Sequence, residues 1–133
     1  MVKTIRQSVT FKASPHEVFE ALLDERKHSE FSGGEAKVSR VVGGRFSVFD
    51  GYATGKNLKI VKDKLIEQSW RNTDFNASDE DSVVRFELKQ GKSNMQTLLS
   101  FTHEKVPDRL EKELAQGWKD FYWAPMKGML EGK

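Results

Sequence analysis

With 133 residues and no cysteine, the chain has the length of one domain, taken as 1–133, and is denied a disulfide framework, a thiolate nucleophile and every cysteine-based metal site. Apolar residues at 37%, charged ones at 32% and aromatics at 11% exclude a disordered composition, and no apolar run approaches the roughly 18 residues of a membrane span. A net charge of +2 is too small to imply nucleic acid, and the start Met1-Val2-Lys3-Thr4-Ile5-Arg6 lacks the apolar run of a secretion signal. A cytoplasmic protein with no membrane or nucleic-acid partner is expected.

Residues 3–12 alternate, with Ile5, Gln7, Val9 and Phe11 on one face, which predicts a half-buried strand. Ser14-Pro15-His16-Glu17 reads as a helix start, with Ser14 as cap, Pro15 in the first turn and Glu17 closing a capping box. Val18, Phe19, Leu22 and Leu23 give that helix its apolar stripe. A second short helix runs from about Asp24 to Phe31 and stops at Ser32-Gly33-Gly34.

From Glu35 to about His103 the pattern is β. Val38 opens a strand ending at Gly43-Gly44, a hairpin turn that needs positive φ. Phe46 and Val48 share a face of the next strand, which ends at Asp50-Gly51. Tyr52 to Val61 follows, with Leu58 and Ile60 on one face, then Leu65 to Arg71 with Ile66 and Trp70 together. Asn72 to Asp81 reads as an exposed loop. Val84, Phe86 and Leu88 alternate, and Met95, Thr97, Leu99, Phe101 and His103 form one face of the last strand.

After Pro107, the residues Leu110, Leu114, Trp118, Phe121, Tyr122 and Met129 fall at helical spacing. Gly117 inside this pattern suggests close approach of the helix to the sheet, and Pro125 predicts a kink or an early stop. The predicted fold class is α+β: a curved antiparallel sheet of about seven strands wrapped around a long C-terminal helix, with two short helices after strand one. Such a sheet leaves a cavity under the helix if its curve is deep. The side chains expected there are Phe46, Trp70, Phe86, Phe101, Trp118 and Tyr122, with His103 at the border.

Charge is unevenly spread. Lys37, Arg40, Arg45, Lys56, Lys59, Lys62 and Lys64 face only Asp50 and Asp63 in that stretch, and such asymmetry steers an acidic partner toward one face. A solvated sheet face with its lysines pointing outward is the simpler account of it. Trp123 falls off the Leu110–Leu114–Trp118–Met129 stripe, so part of it is expected to be exposed, beside Met126, as a partner hot spot. The expected partner surface is therefore Lys56, Lys59, Lys62 and Trp123.

No residue pattern reads as catalytic or metal-binding. Of the three histidines, His16 and His28 lie in the acidic helical segment away from any paired ligand, and His103 reads as a satisfied strand-end residue. Gly43-Gly44 joins strands and does not open a helix as a phosphate loop does. The register leaves Arg71 pointing either into the cavity or to solvent. No cofactor is expected.

The ordered set Ser14-Pro15, Gly43-Gly44-Arg45-Phe46, Asp50-Gly51 with Gly55, Trp70-Arg71 and Gln116-Gly117-Trp118 followed by Phe121-Tyr122-Trp123 resembles the C-terminal domain of the activator of the heat-shock protein 90 ATPase. That domain belongs to the START-like, helix-grip (SRPBCC) superfamily, and the resemblance covers nearly the whole chain. It implies a non-enzymatic binding module, co-chaperone-like and linked to the stress response, with a heat-shock protein 90 family chaperone as partner. Two departures accompany it. The N-terminal clamp domain of the full-length activator is expected to be missing, so only weak ATPase stimulation is expected. Pro125 also interrupts the terminal helix where the family pattern has none. The superfamily leaves two other readings open: a carrier or sensor of a small apolar ligand in the cavity, and a START-like cyclase or hydrolase.

Overall fold

The computed structural model describes residues 2–131; Met1, Gly132 and Lys133, counted in the expected 1–133 domain, lie outside them. Alternation produces β1 (Val2–Phe11), with Ile5 and Phe11 buried and Gln7 and Val9 half-buried on the same face. The chain then enters α1 (Pro15–Leu23) through the capping box read from sequence. Ser14 Oγ accepts from Glu17 N at 3.2 Å, and the Glu17 carboxylate accepts from Ser14 N at 3.0 Å. Asp24 caps α2 (Glu25–Ser32), which closes on Gly33 at φ +77°.

The rest of the sheet comprises β2 (Lys37–Val38), β3 (Arg45–Val48), β4 (Ala53–Val61), β5 (Leu65–Asn72), β6 (Ser82–Gln90) and β7 (Thr97–Pro107). All neighbours are antiparallel, in the order β1-β7-β6-β5-β4-β3-β2. The sheet is open and curved, and the C-terminal helical segment closes against it as a helix-grip fold requires. Along the chain, β2 is shorter than the alternation suggests. Residues 39–44 fold into a turn instead, because buried Asn57 reaches out of β4 to hold it. Its Nδ2 donates to the carbonyls of Ser39 (2.7 Å) and Val41 (3.0 Å), and its backbone exchanges bonds with Gly43 and Gly44. The register slips between Asn57 and Lys59, which is why Leu58 is exposed and does not share the inner face with Ile60. Met95 lies in the turn before β7 and is exposed.

Gly55 is required by close approach. A Cβ there would sit 1.8 Å from the Ser69 carbonyl oxygen and 2.7 Å from the Phe46 ring. Gly55→Ala is expected to cost about 3 kcal/mol of unfolding free energy, read by denaturant titration, because backbone and not a flexible side chain blocks the methyl.

Beyond β7 and a short 3₁₀ turn (Asp108–Leu110), α3 (Glu111–Trp118) runs through a π turn (Lys119–Trp123) into α4 (Ala124–Glu131). Pro125 explains the wide turn. Proline has no N–H to return to the carbonyl four residues back, and Ala124 N–H bonds instead to Lys119 O, five residues back. Pro125 then occupies the first turn of α4, where no N–H is needed, so the helical segment continues and does not stop early. A π turn uses more residues per turn and rotates the helix beyond it. Trp123, expected to be exposed, is 5% exposed, whereas Phe121, expected on the buried stripe, is 59% exposed. The C-terminal segment packs on β1, α1 and α2, and Lys12 N donates to the Glu131 carboxylate at 2.9 Å.

Candidate functional site

The aromatic residues beneath the helix are close-packed. Phe101 meets Trp118 at 4.4 Å between ring centroids, Phe86 meets Phe101 at 5.3 Å, and Trp70 meets His103 at 4.9 Å. The space between α1, α2 and the sheet is reduced to a void of about 10 Å³, with Phe46 and Phe86 in its wall. That volume holds no more than about one water. Phe46, Phe86, Phe101 and His103, expected to line a cavity, therefore fill it. The cause is the volume of the rings themselves, which interlock at van der Waals distance.

The side-chain polar atoms of Trp118, His103, Ser82, His28 and Tyr122 are paired within this core. Trp118 Nε1–H donates to His103 Nδ1 at 3.1 Å, which leaves the imidazole proton on Nε2. His103 Nε2–H then donates to Ser82 Oγ at 2.8 Å, and Ser82 O–H donates to the Trp70 carbonyl at 2.6 Å. A nucleophilic serine must give its proton to the histidine; here the direction is reversed, and both residues are fully buried. Burial holds His103 well below its ordinary value, at about 3. His28, read from sequence as part of an acidic helix, is buried too. Its Nδ1–H donates to Leu22 O at 3.0 Å, and its Nε2 accepts from the Tyr122 hydroxyl at 3.1 Å. Burial lowers it to about 4 and raises Tyr122 above its ordinary value.

Trp123 completes the set. Its Nε1–H donates to Gln7 Oε1 at 2.6 Å, and Gln7 Nε2 donates to Ala115 O at 2.8 Å. Trp118, Tyr122 and Trp123 thus each spend their polar atom on the sheet or α2. Trp123 is a clamp of the helix and not a partner hot spot.

A second space is open. About 350 Å³ lies at the mouth of the grip, where Leu114, Gly117, Trp118, Phe121 and Tyr122 form the helix wall. Phe49, Tyr52 and Trp70 form the sheet wall, and Glu113 stands at the rim. Of the seven cavity residues expected from sequence, Trp70, Trp118 and Tyr122 face this space. Gly117 has a different role from close packing: a Cβ there would meet only the Phe121 ring edge, at 3.9 Å. Its missing side chain leaves the cavity open. Phe49 holds φ +52°, which a bulky residue seldom adopts, and its ring meets Tyr122 and Phe121 edge-on at 5.6 and 6.2 Å. Asp50-Gly51 signalled the turn but not the ring it projects. Tyr52 hydroxyl donates to Asp74 at 3.2 Å and accepts from Asn72 at 2.9 Å. Burial first, then the charges of Asp74 and Glu113, push its pKa up to about 12. Trp70 Nε1–H is buried with no partner among the described residues.

Arg71 lies outside both spaces. It bonds the Asp79 and Asn76 carbonyls at 2.5 to 3.1 Å and sits over Phe75 at 5.3 Å, so it braces the 72–81 loop. No group of three or more metal-ligating side chains occurs among the described residues. No helix there is long and apolar enough to cross a membrane.

The basic residues divide into paired and unpaired sets. Arg40, Arg71, Arg85, Lys105 and Arg109 each meet a carboxylate. Lys37, Arg45, Lys56, Lys59 and Lys62 are exposed and form no ion pair among the described residues. Arg45 and Lys56 are direct cross-strand neighbours, a placement that costs stability. Glu67, across from Lys59, is engaged by Arg85.

The chain is 27% identical over 118 residues, 89% of its length, to the activator of 90 kDa heat shock protein ATPase homolog 1 of Mus musculus. It is 29% identical over 124 residues, 92% of its length, to an uncharacterized protein of Schizosaccharomyces pombe. It spans about a third of the length of these curated relatives, 34% and 36%. The crystal structure of an HSP90 activator from Plasmodium falciparum superposes with a TM-score of 0.89 at 25% identity, covering 96% of each chain. The model of the family described as Activator of Hsp90 ATPase homolog 1-like protein matches residues 12–131. With its sheet, its helix grip and that match across nearly all of its length, the chain belongs to the Activator of Hsp90 ATPase homolog 1-like family.

Proposed function

We propose that the chain is a non-enzymatic binding module that engages an Hsp90-type chaperone and modulates its ATPase. The Mus musculus relative is named as an activator of the 90 kDa heat shock protein ATPase, and the Plasmodium falciparum protein as an HSP90 activator. The observation on the chain itself that carries the reading is the row of unpaired cations on β2, β3 and β4. Like charges held side by side without counter-ions cost folding energy and favour an acidic partner. Reversing two of them, Lys56→Glu with Lys59→Glu, is expected to weaken chaperone binding about tenfold at low salt, measured by calorimetry. Wild-type affinity itself is expected to fall as salt rises. Absence of binding at low salt overturns the proposal.

A second reading, the carriage of a small apolar ligand, is favoured by the cavity of about 350 Å³, within the usual range of ligand sites. Phe49 at φ +52° forms part of its wall, and backbone strain of that kind concentrates at binding sites. The neutral dye N-phenyl-1-naphthylamine is expected to bind and brighten. Gly117→Leu is expected to abolish that signal while stabilising the helix by about 0.5 to 1 kcal/mol. Dye binding unchanged in Gly117→Leu would remove this reading.

A further inference from the structure

We infer that the cavity beside Gly117 takes an organic cation, an ammonium group carried on an apolar body; the inference rests on the ligand-cavity reading and names its ligand class. Six aromatic rings face the space: Phe49, Tyr52, Trp70, Trp118, Phe121 and Tyr122. Ring faces carry negative quadrupole charge and attract ammonium groups, most strongly where water is excluded. Aromatic walls alone also suit a neutral ligand, so charge must decide between the two.

All the charge at this site is negative. Glu113 stands in the cavity wall, and no Lys, Arg or His does so among the described residues. Behind the sheet wall, the Asp74 carboxylate accepts the Tyr52 hydroxyl at 3.2 Å. Arg109 donates to the Asp74 carbonyl, but its charge is already met by Asp79 at 2.6 Å. Glu113 has no ion pair among the described residues. Burial first, and then the charges of Asp74 and Glu113, raise the Tyr52 pKa, so both carboxylates place negative potential on this wall of the pocket. An anionic ligand would meet that potential without a counter-charge. A neutral one would leave it unused.

The test compares two probes of one shape, phenyltrimethylammonium and its neutral carbon isostere tert-butylbenzene, each displacing N-phenyl-1-naphthylamine from the intact chain. The cation is expected to bind about tenfold more tightly than the isostere. Glu113→Gln is expected to weaken the cation about threefold or more relative to tert-butylbenzene, and Gly117→Leu to exclude all three molecules. Equal or tighter binding of tert-butylbenzene, with the dye still bound, overturns the inference and leaves the apolar cavity standing. Failure of the dye to bind removes the cavity reading and the inference together.

Discussion

Replacing Trp118 by alanine is expected to lower the unfolding free energy by about 4 kcal/mol or more, a large share of the roughly 5 to 15 kcal/mol that holds a domain folded. The indole is 3% exposed and touches Trp70, Phe86, Phe101, His103, Tyr122 and Trp123. Its loss leaves a cavity that the rigid rings around it cannot close. It also orphans His103 Nδ1, which has no other donor. Trp118→Phe separates these effects. It keeps most of the ring packing, yet is expected to cost about 1 to 3 kcal/mol through the unmade hydrogen bond. Denaturant midpoints of the two variants check both figures, and a Trp118→Phe protein as stable as wild type would show that the His103 bond contributes nothing.

Acidification is expected to destabilise the fold well before the carboxylates titrate. His28 and His103 are held neutral, at about 4 and about 3 against an ordinary 6.5. Between those values and 6.5 the unfolded chain binds protons that the folded chain refuses. Stability is therefore fully present above pH 6.5 and falls as pH drops from there toward 4. Each unit of pH in that window costs about 1 kcal/mol per histidine. Asp24 and Asp79 lie below the ordinary 3.8 and so stay out of the window. Chemical denaturation at a series of pH values gives the slope. Proton NMR should find both rings still neutral at about pH 5 while the fold persists. A flat stability profile from pH 6.5 to 4.5 would contradict the burial of both rings in their neutral form.

The two histidines also show what was legible in the sequence. Alternation and capping residues act locally, so β1, α1, α2 and the Ser14–Glu17 box are read directly from spacing. Arrangements set by distant residues are not. The turn over 39–44 depends on Asn57, and its bulge displaces Leu58 from the inner face. His28 owes its burial to Tyr122, 94 positions away. One π turn exchanged the places of Phe121 and Trp123, and Pro125 was its visible sign, since a residue without an N–H favours a bond that bypasses it. For the candidate site, Trp70, Trp118 and Tyr122 were found by size and periodicity. Phe49 and Tyr52 were missed because turn positions carry no periodic signal. The helical glycine at 117 gave a signal with two meanings, close packing or open space, and only the distance to Phe121 separates them.

The unpaired cations of β2 to β4 are the surface on which the binding-module account rests. Amide chemical-shift mapping of the labelled chain, titrated with an Hsp90-family chaperone at low and high salt, tests it most directly. Perturbations are expected to centre on Lys37, Arg45, Lys56 and Lys59 and to fade as salt is added. Perturbations confined to other faces, or none at low salt, would contradict it.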